Sequence, residues 1–198
     1  MERPNNFENT QVGGEYTPIE LGGHHAVIMS VKEKLSSTGK NMIVVALDFA
    51  KNDKQPGYFK DQFDKDTRSD KKWPYQAVQY IVTEGSDGKC TKSFKGFVTS
   101  FENSNGKKVN WGDAEAFCKQ FVNKKIGVVY GEVEEEYNGE VKTRRRIRWF
   151  CSDDKVDSQP VPEKKLLDNK PSGNSGSSSS GSDDGFMTFE GSDDQIPF

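Results

Sequence analysis

The chain has 198 residues and a mass of 22.2 kDa, which suits one domain of ordinary size plus an appendage. Only 32% of it is apolar, too little for a chain packed from end to end. Residues 1–152 hold 24 Lys+Arg against 21 Asp+Glu, a net of +3, while residues 153–198 hold 4 against 10, a net of −6, so a mildly basic body carries an acidic tail.

In chain order, residues 1–14 form a polar, Asn-rich arm that is expected to be loosely held. Regular structure is expected to begin around Tyr16 to Ile19. After Gly22-Gly23, the residues Val27, Met29 and Val31 alternate with Ile28, Ser30 and Lys32, and a second run puts Ile43, Val45, Leu47 and Phe49 on one face. Ser36 to Lys40 supplies turn chemistry between them, which predicts a long antiparallel hairpin. The neighbours His24 and His25 should point to opposite faces of their strand, so a shared metal is not expected. The longest clean apolar run, Met42 to Leu47, is six residues, and the N-terminus is polar, so neither a signal peptide nor a membrane span is predicted.

The segment Asp53 to Tyr80 mixes rings and cations more densely than a core needs. Tyr58, Phe59 and Phe63 alternate with Lys60 and Gln62, which predicts a third strand; Arg68, Lys71, Lys72, Trp73 and Tyr75 follow. Unpaired nucleic acid asks for this mixture, because bases stack on flat rings and cations track phosphates. Asp61, Asp64, Asp66 and Asp70 are interleaved with lysines and lack a supporting His or Glu framework, so no Mg²⁺ site is assigned. Ala77 to Val82 and Phe94 to Phe101 read as short strands or strand-like loops around a Gly85–Gly88 turn. Within the second, Phe94-Lys95-Gly96-Phe97-Val98 is similar to aromatic motifs that bind RNA, in which Gly lets the backbone approach a base and Phe stacks on it.

A helix is predicted next, with Asp113 as N-cap and Ala114, Phe117, Cys118 and Phe121 at i, i+3, i+4, i+7. Cys118 then reads as a small buried apolar residue. The three cysteines, Cys90, Cys118 and Cys151, are odd in number and lack C-x-x-C spacing; neither a disulfide framework nor a zinc site is indicated, and a cytoplasmic location fits best. Ile126 to Tyr137 and Glu140 to Cys151 flank Asn138-Gly139, a strong hairpin signal. In a straight register Glu132 faces Arg145 and Glu135 faces Lys142. Ile147, Trp149 and Cys151 would share one face of the second strand, and Arg144, Arg146 and Arg148 the other, as a basic stripe.

Long strands, a helix and a closing hairpin predict a mainly β domain over residues 15–152: an OB-fold-like, five-stranded barrel with one helix between the third and fourth strands. Residues 64–110 exceed what a minimal barrel needs and would form a lid or extra strands. From residue 153 apolar periodicity stops, and residues 153–190, rich in Pro, Ser and Gly, read as a disordered linker. Residues 191–198 read as an acidic partner-recruiting tip. Asp193 and Asp194 would steer it, Ile196 and Phe198 would fill a pocket, and Pro197 would limit the freedom lost on docking. As the chain's last residue, Phe198 would add an α-carboxylate. A related string containing Phe186 and Phe189 is read as a second, weaker hook.

The tip Asp193-Asp194-Gln195-Ile196-Pro197-Phe198 resembles the C-terminal tip of bacterial single-stranded-DNA-binding proteins. That resemblance implies recruitment of replication and recombination proteins such as a polymerase, helicase, primase, recombinase or nuclease. The body carries Gly13-Gly14-Glu15-Tyr16, Gly57-Tyr58-Phe59, the run Asp66 to Pro74, Phe94-Lys95-Gly96-Phe97 and Lys164-Lys165-Leu166-Leu167-Asp168. With these it resembles a family of small proteins of phages of Gram-positive bacteria that are regarded as single-stranded-DNA-binding or recombination-associated. The resulting expectation is non-enzymatic, sequence-tolerant binding of single-stranded DNA in a cytoplasm, without cofactor or metal. The residues expected to contact DNA are Tyr58, Lys60, Arg68, Lys71, Lys72, Trp73, Tyr75, Phe94, Phe97, Arg144, Arg146 and Arg148. The alternative is an adaptor whose barrel binds protein and not DNA. Composition leaves the oligomeric state open.

Overall fold

The computed structural model describes Arg3 and residues 17–167. The rest of the N-terminal arm, the linker from Asp168 onward and the tip with Asp193, Asp194, Ile196, Pro197 and Phe198 lie outside the described residues, as do Phe186 and Phe189. The strands are β1 (Gly22–Leu35), β2 (Asn41–Phe49), β3 (Val78–Val82), β4 (Lys125–Tyr137) and β5 (Glu140–Cys151). They form one antiparallel sheet in the order β3-β2-β1-β4-β5. Helix α1 (Tyr58–Lys65) follows β2, and α2 (Lys92–Asn105) and α3 (Ala114–Lys119) lie between β3 and β4. The fold is therefore mainly β, and the sheet is not closed, because β3 and β5 are its two edges.

Both expected hairpins form. At Asn138-Gly139 both residues take positive φ, 52° and 78°, the backbone of a turn that matches strand twist. The register then pairs Glu132 with Arg145 and Glu135 with Lys142. Two bulges correct the expected faces. In β1 the register shifts between Ile28 and Ser30, which lets both Ile28 and Val31 reach the core. In β5 Arg148 is the extra residue, since Val129 pairs with Trp149 and Tyr130 with Ile147. Ile147 consequently joins Phe150 in the main core, while Trp149 and Cys151 pack with Val129 and Val156 in a separate small cluster.

Two predicted strands are helices instead. Residues Tyr58 to Lys65 coil because Phe59 and Phe63 are four apart, Lys60 pairs with Asp64 at i, i+4, and the buried Asp48 carboxylate accepts from the backbone N–H groups of Phe59 (3.0 Å) and Lys60 (3.3 Å). Burial raises the Asp48 carboxyl above its ordinary value despite these hydrogen bonds. In α2 the residues Phe94, Phe97, Val98 and Phe101 follow the i, i+3, i+4, i+7 spacing of one helix face, Thr91 caps the start by accepting from the Phe94 N–H (3.2 Å), and Gly106 ends it at φ 60°. The expected helix after Asp113 is present as α3, with the aspartate accepting from the Ala116 N–H at 3.0 Å. Residues 64–110 thus supply an edge strand and a core helix.

The core is aromatic. Phe97 lies 5.2 Å from Phe121 and 5.1 Å from Phe150, tying α2 to the loop after α3 and to β5. A second group joins Phe49, Phe59 and Tyr130 around the fully buried His24. Each such ring contributes about 1.5–3 kcal/mol by leaving water.

The folded body also continues past Ser152, the expected boundary. A 3₁₀ turn at Asp153–Ser158 covers β1 and β4 so closely that a Cβ on Gly23 would lie 2.2 Å from the Val156 carbonyl oxygen. Residues 159–167 then run back along β4. The Lys165 N–H donates to the Glu132 carbonyl (2.9 Å), and the Glu134 N–H donates to the Lys165 carbonyl (2.8 Å).

Candidate nucleic-acid interface

The twelve residues expected to contact DNA divide by burial. Trp73, Phe94 and Phe97 are core residues; the Trp73 indole N–H donates to the Leu47 carbonyl at 2.9 Å, and Phe97 is fully buried. Tyr58 is half-buried and donates its hydroxyl to the Thr17 carbonyl at 2.7 Å. Tyr75 is the exception among the expected rings, with 51% of its surface open. It sits in a 3₁₀ turn, Tyr75–Ala77, just before the edge strand β3.

The cations divide in the same way. Lys60 pairs with Asp64, and Arg68 grips Asp66 in a fork, Nε to Oδ1 at 3.0 Å and Nη2 to Oδ2 at 2.7 Å. That fork holds the half-buried Asp66 carboxyl down at about 2. Lys71 lies 4.4 Å from the centre of the Phe63 ring, and Lys72 is half-buried. Arg148 donates to the Glu163 carbonyl at 2.8 Å, so it fastens the C-terminal segment. Arg144 is exposed.

Arg146 joins the two lists. Its guanidinium lies 3.5 Å from the centre of the Tyr75 ring and forms a bidentate pair with Glu135, Nε to Oε1 and Nη2 to Oε2 both at 2.6 Å. Burial lowers Arg146 to about 9 and raises the Glu135 carboxyl; the pairing of the two charges opposes both shifts. Of the expected residues, the fold therefore gathers Tyr75 and Arg146, with Arg144 two positions along the same strand. Trp73, Phe94 and Phe97 are spent on packing.

A second exposed ring was not among those expected. Trp111 is 64% exposed in the loop before α3, stacked on Phe117 at 5.4 Å and 25°, with Phe94 edge-on at 6.2 Å. It borders a groove of about 380 Å³ lined by Thr83, Glu84 and Cys90 beyond β3 and by Phe94, Lys95 and Val98 of α2. A Glu84–Cys90 bridge closes the tight turn at one end of it. The signal in the sequence was a tryptophan between Asn110 and Gly112, in a loop whose other residues show no apolar period.

The histidines point to opposite faces, as alternation requires. His24 meets Asp53 through Nδ1 (3.0 Å) and the Glu20 carbonyl through Nε2 (2.9 Å). His25 meets Asp153 at 2.7 Å. Burial works to raise the Asp53 carboxyl, but hydrogen bonds from His24 and the N–H groups of Gln55 and His25 hold it below the usual aspartate value. Among the described residues no three His, Cys, Asp or Glu side chains are grouped to hold a metal ion, and no helix is long and apolar enough to cross a membrane. All three cysteines are free; Cys90 is exposed, and burial raises Cys118 and pushes Cys151 up to about 11. No protein-family profile matches the chain, and neither does any curated protein.

Proposed function

We propose that the chain is a non-enzymatic, sequence-tolerant single-stranded-DNA-binding protein whose body is an OB-fold-type barrel opened along one seam. The strand order carries this reading. The order β3-β2-β1-β4-β5, with helices between β3 and β4, is that of a five-stranded OB barrel cut where β3 would meet β5. Arg146 of β5 reaches across the cut to lie over Tyr75, and beneath it the buried Tyr130 of β4 donates its hydroxyl to the Gln76 carbonyl at 2.9 Å. The exposed Tyr75 ring at that seam, with the exposed Arg144 two positions from Arg146 on β5, offers one stacking surface and one cation for a passing strand. In this reading the acidic tip with Asp193, Asp194, Ile196, Pro197 and Phe198 recruits replication or recombination proteins. The setting is a cytoplasm, a phage-infected host cell among them.

An anisotropy titration with oligo-dT and with duplex DNA tests the reading. Single strands should bind more tightly, and log affinity should fall against log salt by about 0.7 per phosphate neutralised. Absence of binding to oligo-dT at modest ionic strength overturns it. The burial of Trp73, Phe94 and Phe97 favours a second reading, an adaptor whose body binds protein alone. That reading requires the same titration to be flat.

A further inference from the structure

We infer that the Trp111 groove is a subsite for one unpaired nucleobase, separate from the Tyr75–Arg146 cluster. This rests on the single-stranded-DNA reading and adds to it a defined pocket. An indole that is 64% exposed contributes little to folding, yet this one is held in place, with Phe117 against one face and Phe94 at its edge. The indole lines the groove and leaves most of its surface uncovered. A ring fixed on one side and otherwise largely uncovered stacks on a flat heterocycle with little further loss of freedom. At about 380 Å³ the groove is near the lower end of ligand pockets, which run to about 1,000 Å³, and so suits a base with its sugar better than an element of a folded partner.

Charge points to the same occupant. Lys95 lines the groove, and Lys92 stands one helical turn before it on α2. Neither makes an ion pair among the described residues, whereas nearby Lys89 and Lys108 are paired with Asp87 and Glu102. A lysine lining an apolar slot, with a second one turn away on the same helix, fits the phosphates flanking an inserted base. Glu84, also in the lining, only accepts hydrogen bonds as a carboxylate, so it favours an exocyclic amino group over the thymine N3–H, which lies between two carbonyl acceptors. The subsite should therefore take cytosine in preference to thymine.

Cys90 gives a direct readout, because it lines the groove and is exposed while the other two thiols are buried. The experiment uses the full chain, with oligo-dT and oligo-dC measured by anisotropy and Cys90 alkylation by N-ethylmaleimide measured with and without saturating oligonucleotide. Trp111→Ala should weaken binding about tenfold, the contribution of one stacked base. Trp111→Phe should retain most of the affinity. DNA should slow Cys90 alkylation several-fold, and Glu84→Gln should narrow the gap between oligo-dC and oligo-dT. If the wild-type chain binds oligonucleotides but Trp111→Ala binds equally and Cys90 reacts at an unchanged rate, the subsite is wrong and the DNA-binding reading stands. Flat titrations for the wild type overturn both. Faster Cys90 alkylation on deletion of residues 191–198, with no effect of DNA, makes the chain's own tip the occupant and overturns the nucleobase assignment.

Discussion

At the scale of single residues, the least replaceable contact is the one between His24 and Asp53. Both side chains are buried, and the aspartate also accepts from the N–H groups of His25 (2.7 Å) and Gln55 (2.9 Å), which fixes the chain between β2 and α1. Removing His24 takes a side-chain donor from a buried carboxylate and leaves it with these two backbone donors, a loss of about 1–3 kcal/mol. His24→Ala should therefore lower the unfolding free energy measured in urea by that amount, whereas His25→Ala, at a half-buried pair, should cost less. The Asp53 carboxyl titrates below its unfolded value. Its contribution is complete above the ordinary aspartate value near pH 4 and disappears as acid protonates the folded carboxylate. Asp53→Asn should be less stable at neutral pH and should show a shallower loss of stability on acidification. An acid limb identical to that of the wild type would show that other carboxylates dominate it.

At the scale of elements, caps and spacing decide where the chain coils. Thr91→Ala removes the acceptor for the Phe94 N–H and the hydroxyl that donates to the Val82 carbonyl (2.5 Å), and it should cost about 1–2 kcal/mol in chemical denaturation. Thr91→Ser should restore most of that. The Asn138-Gly139 hairpin and its register were legible in the sequence because the turn chemistry is local and the strands are regular. The helix after Asp113 was legible because its apolar spacing had one reading. Tyr58–Lys65 was not, since its start is capped by Asp48, nine residues before the helical turn begins at Gly57 and on another element. The Phe94–Phe101 segment carried helical spacing, but Gly96 and the neighbouring rings also fit a strand-like aromatic motif. The bulge at Arg148 has no local signature, and it alone decides which faces Ile147 and Trp149 occupy. Burial of Trp73, Phe94 and Phe97 could not be read either, because a ring among lysines has the same sequence whether it stacks on a base or on Leu47's strand.

The segment after β5 shows the same dependence on distant partners. Pro-rich composition suggested a linker from residue 153, yet Gly23, Gly127 and Gly131 leave room for it against the sheet. A Cβ on Gly127 would come within 2.6 Å of the Cys151 sulfur and 2.7 Å of Val156. Trp149 donates its indole N–H to Gln159 at 3.0 Å, so ending the chain at Ser158 should expose that ring and shift its fluorescence to the red. An unchanged emission spectrum would show that the segment adds nothing to the cover of β5.

At the scale of the whole molecule, charge is divided at Leu167. Residues 1–167 hold 27 Lys+Arg against 25 Asp+Glu, a net of +2, and residues 168–198 hold 1 against 6, a net of −5. Under the DNA-binding reading, the tail and a strand's phosphates compete for the same cations, here Arg144, Lys92 and Lys95. The competition depends on ionic strength, because the screening length is about 30 Å at 0.01 M salt and about 10 Å at 0.1 M. Removing residues 168–198 should therefore tighten oligo-dT binding several-fold at low salt, and the advantage should shrink steadily as salt is added. Replacing Asp183, Asp184, Asp193 and Asp194 by Asn in the full-length chain should reproduce most of the gain, which separates charge from length. Equal affinity of the full and shortened chains at 0.01 M salt would show that the acidic tail does not reach the cations that hold the strand.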